Sequence, residues 1–298
     1  AMAAACFGTF LTTFAVVLNN HLPAAVCALV TLYAAIRIWF DGERRVRYFV
    51  VAGLFGAFTA ACELPALALL AAVSVALLWK APRATLAAYA PAVIVVAAGF
   101  FGTNWVAHHS LRPPYMHRSE TDPSDNWYAY TYERDGRQIT SYWQNRVGID
   151  RGEALRGTYA LHVLVGHHGV FSLTPIWILT VVGLAIWLWD RNDSHCWQLA
   201  LLIGGVSLVC LVFYLTRPLD DRNYGGMTSG FRWMFWFAPL WIVAMLPAVD
   251  AVAGRKWLRP GALVLLALSA LSAAYPIWNP WTHPWLLNCL HQCGWVQI

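Results

Sequence analysis

Side chains suited to chemistry concentrate in one short polar stretch in the last third of the chain. It contains two aspartates, three glycines and two arginines: Asp220, Asp221, Arg222, Gly225, Gly226, Gly230 and Arg232. Glycine-rich backbone at a helix start exposes N–H groups that can cradle phosphate, and arginine adds bidentate donors. The paired carboxylates suit a general base or a divalent metal. We expect Arg222, Gly225, Gly226 and Arg232 to bind an anionic substrate. The alternative is a solvated loop whose arginine reaches the membrane interface.

A second candidate is the run Gly166-His167-His168-Gly169, which leads through Ser172 to Pro175. Two histidines at a membrane interface can bind an anionic headgroup, transfer protons or ligate a metal, although this spacing carries no metal-site signature. The alternative is that the run only shapes a helix entry, with a hydroxyl cap and a proline in the first turn. We assign His167 and His168 to substrate binding, and no residue to a metal.

Glu63 and the pair Asn20-His21 complete the set of candidates. An ionisable group inside a membrane segment predicts a functional site, but Glu63 precedes Pro65 and also fits a structural turn. Asn20 and His21 follow an apolar run and lead to Pro23, so they suit either an outer cavity or a polar turn. Glu63 therefore stands as a third, weak candidate for a general base beside the two aspartates, and Asn20 and His21 as substrate-binding residues.

The chain that must position these residues is too apolar to fold as a soluble domain. Of its 298 residues, 59% are hydrophobic and only 12% are charged, with a mean hydropathy of +0.52, against about 25% charged residues in soluble domains. Apolar runs lie at about 2–18, 24–40, 48–62, 66–79, 85–107, 174–189, 197–216, 231–249 and 261–275. The sequence predicts an all-α, polytopic transmembrane helix bundle with about eight or nine spans.

The stretch 48–79 is the ambiguous part of this pattern. As one helix it would be about 48 Å long, well beyond the roughly 30 Å of a hydrocarbon core. Glu63 and Pro65 interrupt it near the middle, and proline breaks or kinks a helix. We therefore expect a hairpin of two short helices that turns at Glu63.

Basic residues predict the orientation of the bundle. Four short connections, at 41–47, 80–84, 190–195 and 254–259, are rich in Lys and Arg, whereas the connections at the opposite ends of the apolar runs hold few. The basic residues of the four are Arg44, Arg45, Arg47, Lys80, Arg83, Arg191, Arg255, Lys256 and Arg259. Because cytoplasmic loops are rich in Lys and Arg, this set is expected inside, with nine crossings and an outer C-terminus. The net charge of +5 thus reflects membrane topology and predicts no nucleic-acid partner.

This topology divides one transmembrane domain into four parts. Residues 1–107 form the N-terminal spans, 108–173 an extracytoplasmic segment, 174–275 the C-terminal spans and 276–298 an extracytoplasmic tail. Segment 108–173 is rich in Trp and Tyr, which favours an ordered structure. The tail permits a disulfide between Cys289 and Cys293. All candidate chemistry is therefore expected at the outer face.

Three stretches carry a resemblance to a known superfamily. Gly166–Pro175 resembles the "G-x-H-G-x-F-S-x-x-P" segment of GT-C-like glycosyltransferases, and Tyr224–Arg232 resembles their later "W-G-G-x-S-x-G-x-R" segment, with Tyr in the Trp position. Leu18-Asn19-Asn20-His21 is similar to the "L-N-N-H" stretch of a planctomycete-type bacterial branch. The resemblance covers most of the chain from about residue 8 onward.

The resemblance implies a transferase in the bacterial inner membrane that takes a sugar from a polyprenyl-phosphate carrier at the extracytoplasmic face. Such enzymes place an Asp or Glu general base in the first outer loop, but residues 19–23 contain no carboxylate. We therefore expect the base upstream of Ala1, on a longer chain of which this one is a fragment. The expected partners are membrane lipid and the polyprenyl-phosphate sugar donor. No cofactor is assigned, and a divalent metal remains an option.

Two functions from other classes stay open. A transporter or flippase for a lipid-linked or anionic solute would use the same outer cavity but needs polar groups deep in the spans, and these spans hold almost none. A non-catalytic protein of envelope assembly would not depend on Arg232.

Overall fold

The computed structural model describes residues 1–119, 121–190 and 194–296. Its helices are α1 Met2–Phe7, α2 Phe10–Phe14, α3 His21–Trp39, α4 Val46–Cys62, α5 Leu67–Lys80, α6 Pro82–His108, α7 Arg156–Leu164, α8 Val170–Leu173, α9 Ile178–Trp189, α10 Ser194–Leu215, α11 Ala238–Ala253, α12 Arg259–Ala274 and α13 Trp285–Gln292. All are α-helical except for a π-helical turn at Thr85–Tyr89 within α6. Strands β1 Thr131–Arg134 and β2 Arg137–Thr140 form one hairpin. Arg191, used above in the charge argument, lies outside the described residues.

Five helical segments among the described residues are long and apolar enough to cross a membrane. They are His21–Trp39, Pro82–His108, His195–Leu215, Arg232–Ala253 and Lys256–Ala274. Shorter apolar helices lie at Met2–Phe14, Val46–Cys62, Leu64–Lys80 and Pro175–Trp189. The prediction of a mainly helical protein with several potential spans is confirmed, whereas eight or nine crossings stays a prediction.

The first apolar run does not form one long helix. It divides into α1 and α2, with the break at Gly8 and Thr9. A Cβ atom at Gly8 would lie 3.1 Å from the Leu266 side chain, so the chain turns where it packs tightly on α12. Hydropathy alone cannot register such a break.

The stretch around Glu63 forms the expected pair of short helices. Glu63 has an extended backbone between α4 and the 3₁₀ turn Leu64–Ala66, which contains Pro65. It contacts His21 at the start of α3, whereas Lys80 at the end of α5 lies over Trp39 at the end of α3. Helices α4 and α5 therefore run antiparallel. We call the end of the bundle that contains Glu63 and His21 the Glu63 end, and the opposite end, which contains Lys80 and Trp39, the basic end.

Small residues allow the helices to approach closely. Gly183 in α9 faces the backbone of Ala244 in α11, and Gly53 in α4 faces the backbone of Tyr89 in α6, so closely that an added Cβ would overlap it. Close backbone approach through small residues is how apolar helices associate where hydrophobic burial gives little driving force. These contacts hold α9 against α11 and α4 against α6.

The long segment between α6 and α7 is ordered by turns and one hairpin. Strands β1 and β2 are antiparallel with Thr131 opposite Thr140, and their turn at Asp135-Gly136 has positive φ at both residues, as a two-residue hairpin requires. Short 3₁₀ turns lie at Pro114–Met116, Pro123–Asp125, Tyr142–Gln144 and Gly148–Arg151. The remaining 3₁₀ turns are Pro175–Trp177, Leu219–Asp221, Arg232–Phe237 and Lys256–Leu258.

Candidate functional site

Glu63 lies at the hairpin turn and is almost completely buried, at 5% exposure. Its N–H donates to the Thr59 carbonyl, and its own carbonyl accepts from the N–H of Ala66. The backbone is therefore fixed on both sides, and the side chain is directed from the turn towards α3. A carboxylate in such a place needs hydrogen-bond donors, because burying an unpaired charge is costly.

The start of α3 supplies those donors. Asn20 Nδ2 donates to Glu63 Oε1 over 2.8 Å and to the Cys62 carbonyl over 2.9 Å, and His21 Nδ1 contacts the same carboxylate oxygen. His21 is 2% exposed. Both contacts use Oε1, which leaves Oε2 as an acceptor for another group.

Arg232 contacts the opposite nitrogen of the same imidazole. Its Nη1 lies 3.4 Å from His21 Nε2, and its Nε donates to the Gly225 carbonyl over 2.8 Å. A guanidinium only donates, so this contact is a hydrogen bond when Nε2 accepts, and Nδ1 is the nitrogen that faces Glu63. Glu63, His21 and Arg232 thus form one ionic chain, in which an imidazole lies between a carboxylate and a guanidinium.

Aromatic rings surround this ionic chain. Phe14 and Phe235 approach His21 edge-on, with ring centroids 6.4 and 6.3 Å away. The Trp281 ring lies 5.2 Å from the Arg232 guanidinium carbon and packs edge-on against Phe14. Because such an environment excludes water, the electrostatic interactions among Glu63, His21 and Arg232 are stronger than they would be at the surface. Sequence reasoning did not single out Trp281; its only signal was the abundance of Trp in the tail.

A glycine turn holds Arg232 in place within the loop 217–232, which we call the glycine loop. Tyr224, Gly225 and Gly226 all have positive φ (58°, 97° and 77°), and a Cβ on Gly225 would lie 3.1 Å from Arg232 Nε. The N–H groups of Gly225 and Gly226 donate to the side chain and the carbonyl of Asn223. These two amides are therefore engaged inside the turn, so Arg232 is the group of this turn that remains for an anion.

The other charged candidates connect the loops. Asp221 pairs with Arg118 and Arg217, and Asp220 pairs with Arg146. The buried Arg222 donates from Nη1 to the Ala154 carbonyl over 2.9 Å, away from the ionic chain. Asp220, Asp221 and Arg222 thus join the glycine loop to the long segment, and of the three carboxylate candidates only Glu63 belongs to the ionic chain.

The two predicted histidines lie beside the glycine loop in a cluster of rings. His167 Nδ1 and His168 Nδ1 are 2.6 Å apart, so one of these nitrogens donates to the other. His168 stacks on Tyr224 at 4.7 Å, and His162 stacks on His167 at 4.0 Å. The stacking on Tyr224 shows that the stretches 166–175 and 217–232 pack together at the Glu63 end.

Burial keeps these imidazoles neutral. It lowers the pKa of His167 to about 3 and that of the fully buried His168 well below its usual range, with a smaller contribution from the neighbouring histidines. Burial also lowers the pKa of His162. Neutral rings without a converging set of nitrogens form a packed support for the glycine loop. Among the described residues, no group of three His, Cys, Asp or Glu side chains is placed to hold a metal ion.

An aromatic surface of the long segment adjoins the ionic chain. The Arg118 guanidinium lies 4.6 Å from the Tyr128 ring and 5.9 Å from the Trp143 ring. Burial raises the pKa of Tyr128, and the nearby cations Arg118 and Arg232 oppose that rise. Tyr128 therefore lies within electrostatic reach of Arg232.

The link between this site and a known family consists of the sequence resemblance alone. Comparison with protein-family models, curated proteins and solved structures finds no match for this chain. The cysteines of the tail, Cys289 and Cys293, are free thiols, so the disulfide allowed by the sequence is not formed.

Proposed function

We propose that the chain is a GT-C-like membrane glycosyltransferase, which transfers a sugar from a polyprenyl-phosphate carrier to an acceptor at the extracytoplasmic face of the bacterial inner membrane. The observation that carries this proposal is the chain Glu63–His21–Arg232, a carboxylate and a guanidinium joined through one imidazole. Inverting transfer needs a base for the acceptor hydroxyl and a cation for the leaving phosphate. Both groups are present at one end of the bundle.

The sequence favoured a general base outside residues 1–298 and kept Glu63 as a weak candidate, and the ionic chain supports Glu63. The first outer loop holds no carboxylate of its own, but its Asn20 and His21 contact that of Glu63. In this proposal Glu63 Oε2 accepts the proton of the acceptor hydroxyl, while Asn20 and His21 hold Oε1. Arg232 uses Nε and Nη1 within the described part of the protein, so its Nη2 hydrogens remain to bind the phosphate.

Two connected apolar spaces support a lipid-linked donor. A groove of about 200 Å³ runs between α9, α10 and α11, and a gap of about 20 Å³, with room for little more than one water molecule, lies beside it. They share Val170, Trp177, Met234 and Trp241, and the gap reaches Phe235, which packs against His21. A polyprenyl chain in the groove would point its phosphate end along this gap towards the ionic chain.

The proposed topology follows the charge pattern. Nine crossings, counting the short helices α4 and α5, place the Glu63 end and the C-terminus outside and the basic end inside. A cysteine introduced at the exposed Met227 should react with an impermeant maleimide on intact spheroplasts, whereas one introduced at the exposed Arg47 should react only after lysis. Labelling of both from the same side would refute this arrangement.

The functional test separates binding from catalysis. The purified chain in nanodiscs is titrated with a long-chain polyprenyl phosphate, and transfer is assayed with a panel of labelled polyprenyl-phosphate sugars. Arg232→Gln should weaken phosphate binding about tenfold or more, since a hydrogen bond to a charged group contributes about 1.5–3 kcal/mol. Glu63→Gln should retain binding and lose transfer.

The matched control is Arg37→Gln, an arginine at the basic end of helix α3, the helix that begins with His21. It should change neither property. Unaltered binding in Arg232→Gln, or full transfer in Glu63→Gln, would contradict the proposal. Uptake of the labelled carrier into vesicles without any transfer would favour the transporter alternative.

A further inference from the structure

A second apolar groove opens at the basic end, far from the ionic chain. It has a volume of about 120 Å³ and lies between α3, α5 and α10. Its lining is almost entirely apolar: Leu32, Ala35, Ile36, Trp39, Phe40, Val73, Ala76, Leu77, Gln198, Leu199 and Leu202. The small side chains of Ala35 and Ala76 leave the space that larger residues would fill.

The length of the groove matches part of one membrane leaflet. From Leu32 to Trp39 the helix rises about 10 Å, whereas a leaflet contributes about 15 Å of hydrocarbon. The groove therefore has the depth and polarity of an acyl-chain site. Trp79, at 85% exposure beside it, is the kind of residue that lies at a membrane interface.

The mouth of the groove is polar and cationic. Trp39 Nε1 donates to Gln198 Oε1 over 2.5 Å, and the ammonium of Lys80 lies 5.6 Å from the Trp39 ring. Lys80 and the nearby Arg83 are both exposed. A cation on an aromatic ring above an apolar groove is complementary to a phosphate carried by an acyl chain.

Acidic side chains of the adjoining turn are already paired. Asp41 binds Arg37, and Glu43 lies within ion-pair distance of Arg37 and Arg45. Lys80 is in no ion pair within the described part of the chain, so its charge is available to a ligand. Because the acids are neutralised and Lys80 is not, a ligand of this groove should carry a negative charge.

We propose that this groove binds one anionic phospholipid of the leaflet at the basic end. The phosphate contacts the Lys80 ammonium, the glycerol region lies beside Trp39 and Gln198, and one acyl chain occupies the space next to Ala35 and Ala76. Each cationic group near a membrane surface contributes about 1 kcal/mol to the attraction of anionic lipid, which is about fivefold in affinity. The inference does not depend on the proposed transferase activity.

The test measures lipid binding to the purified full-length chain by native mass spectrometry. Phosphatidylglycerol is compared with phosphatidylcholine of the same acyl chains, and the wild type should prefer phosphatidylglycerol. Lys80→Gln should reduce phosphatidylglycerol affinity about fivefold and leave phosphatidylcholine unchanged. Ala76→Trp should reduce binding of both lipids, because it fills the groove. Lys256→Gln removes another exposed lysine of the basic end, outside the groove lining, and should change neither.

Three results would overturn the inference. They are equal binding of the two lipids by the wild type, unchanged phosphatidylglycerol binding in Lys80→Gln, and displacement of the lipid by glycerol phosphate alone at equal concentration. The last would show that the acyl chain adds nothing. Lys80 is exposed, so its substitution tests the idea even if the Ala76 variant does not fold.

Discussion

The ionic chain predicts a measurable coupling between two residues that do not touch. Glu63→Gln and Arg232→Gln each remove one charge and preserve a side chain that can still hydrogen-bond. Made singly, each variant leaves the other charge buried without its counter-charge, which is unfavourable. Made together, they remove both charges, and part of that cost should be recovered.

The size of the coupling follows from the geometry. A hydrogen-bonded contact, the width of the imidazole and the 3.4 Å contact with Arg232 separate the two charges, in all about 8 Å, which at an effective dielectric constant of about 20 gives about 2 kcal/mol. We therefore expect a coupling free energy of about 2 kcal/mol in a double-mutant cycle. The aromatic surroundings should make it insensitive to moderate salt, because buried charges are screened little.

The free energy of unfolding is measured in detergent micelles by denaturant titration or steric trapping, for the wild type, both single variants and the double variant. The control cycle uses Arg37 and Asp41, an exposed pair of the type i, i+4, which should show a small and salt-sensitive coupling. A cycle for Glu63 and Arg232 that closes to within about 0.5 kcal/mol, the ordinary limit of additivity, would refute the proposed linkage through His21.

Three further predictions concern stability and site geometry. Gly225→Ala should weaken binding of polyprenyl phosphate, because the new methyl group displaces Arg232. Gly136→Ala, also at positive φ but with open space around it, should lower the free energy of unfolding and leave binding unchanged. Phosphate-binding and unfolding assays separate these two effects. Burial lowers the pKa of His167 from 6.5 to about 3, so between these pH values only the unfolded chain takes up a proton at this residue. The free energy of unfolding should therefore fall as the pH drops below about 6.5, by up to about 1.4 kcal/mol per pH unit. His167→Gln should flatten this pH profile, and equal slopes for the variant and the wild type would contradict the prediction. Gly183→Ala should destabilise the bundle by about 1–3 kcal/mol through overpacking, whereas Gly99→Ala, with no neighbour within 4 Å, should not; equal unfolding transitions would disprove the close helix contact.

The helical class and the Glu63 hairpin could be predicted because they depend on local signals. An apolar stretch of 32 residues, 48–79, with a Glu and a Pro at its middle, is too long for one span, so the chain must break there. The division of the first apolar run could not be predicted, since it depends on how tightly Gly8 packs against a residue of α12. Hydropathy records composition along the chain, whereas that break depends on a contact across the bundle.

The sequence marked Glu63, His21 and Arg232 as candidates, but it missed Trp281 and did not indicate how these residues are connected. His21 and Arg232 are 211 positions apart, and nothing in either stretch indicates that the imidazole joins the guanidinium to Glu63. Likewise, the pairing of Asp221 with Arg118 depends on how the long segment folds over the glycine loop. Sequence can mark a side chain as reactive, but its partners are set by tertiary packing.

The distribution of the ionic chain over three distant stretches has a consequence for biosynthesis. Asn20, His21 and Glu63 are synthesised early, and about 170 residues must follow before Arg232 emerges, which at roughly 5–20 residues per second is on the order of ten seconds or more. During that interval the hairpin carries a carboxylate at its turn with no arginine to neutralise it. An interrupted chain therefore contains an acid at the hairpin turn that has no arginine to balance it, and only completion of the chain through Arg232 supplies the counter-charge.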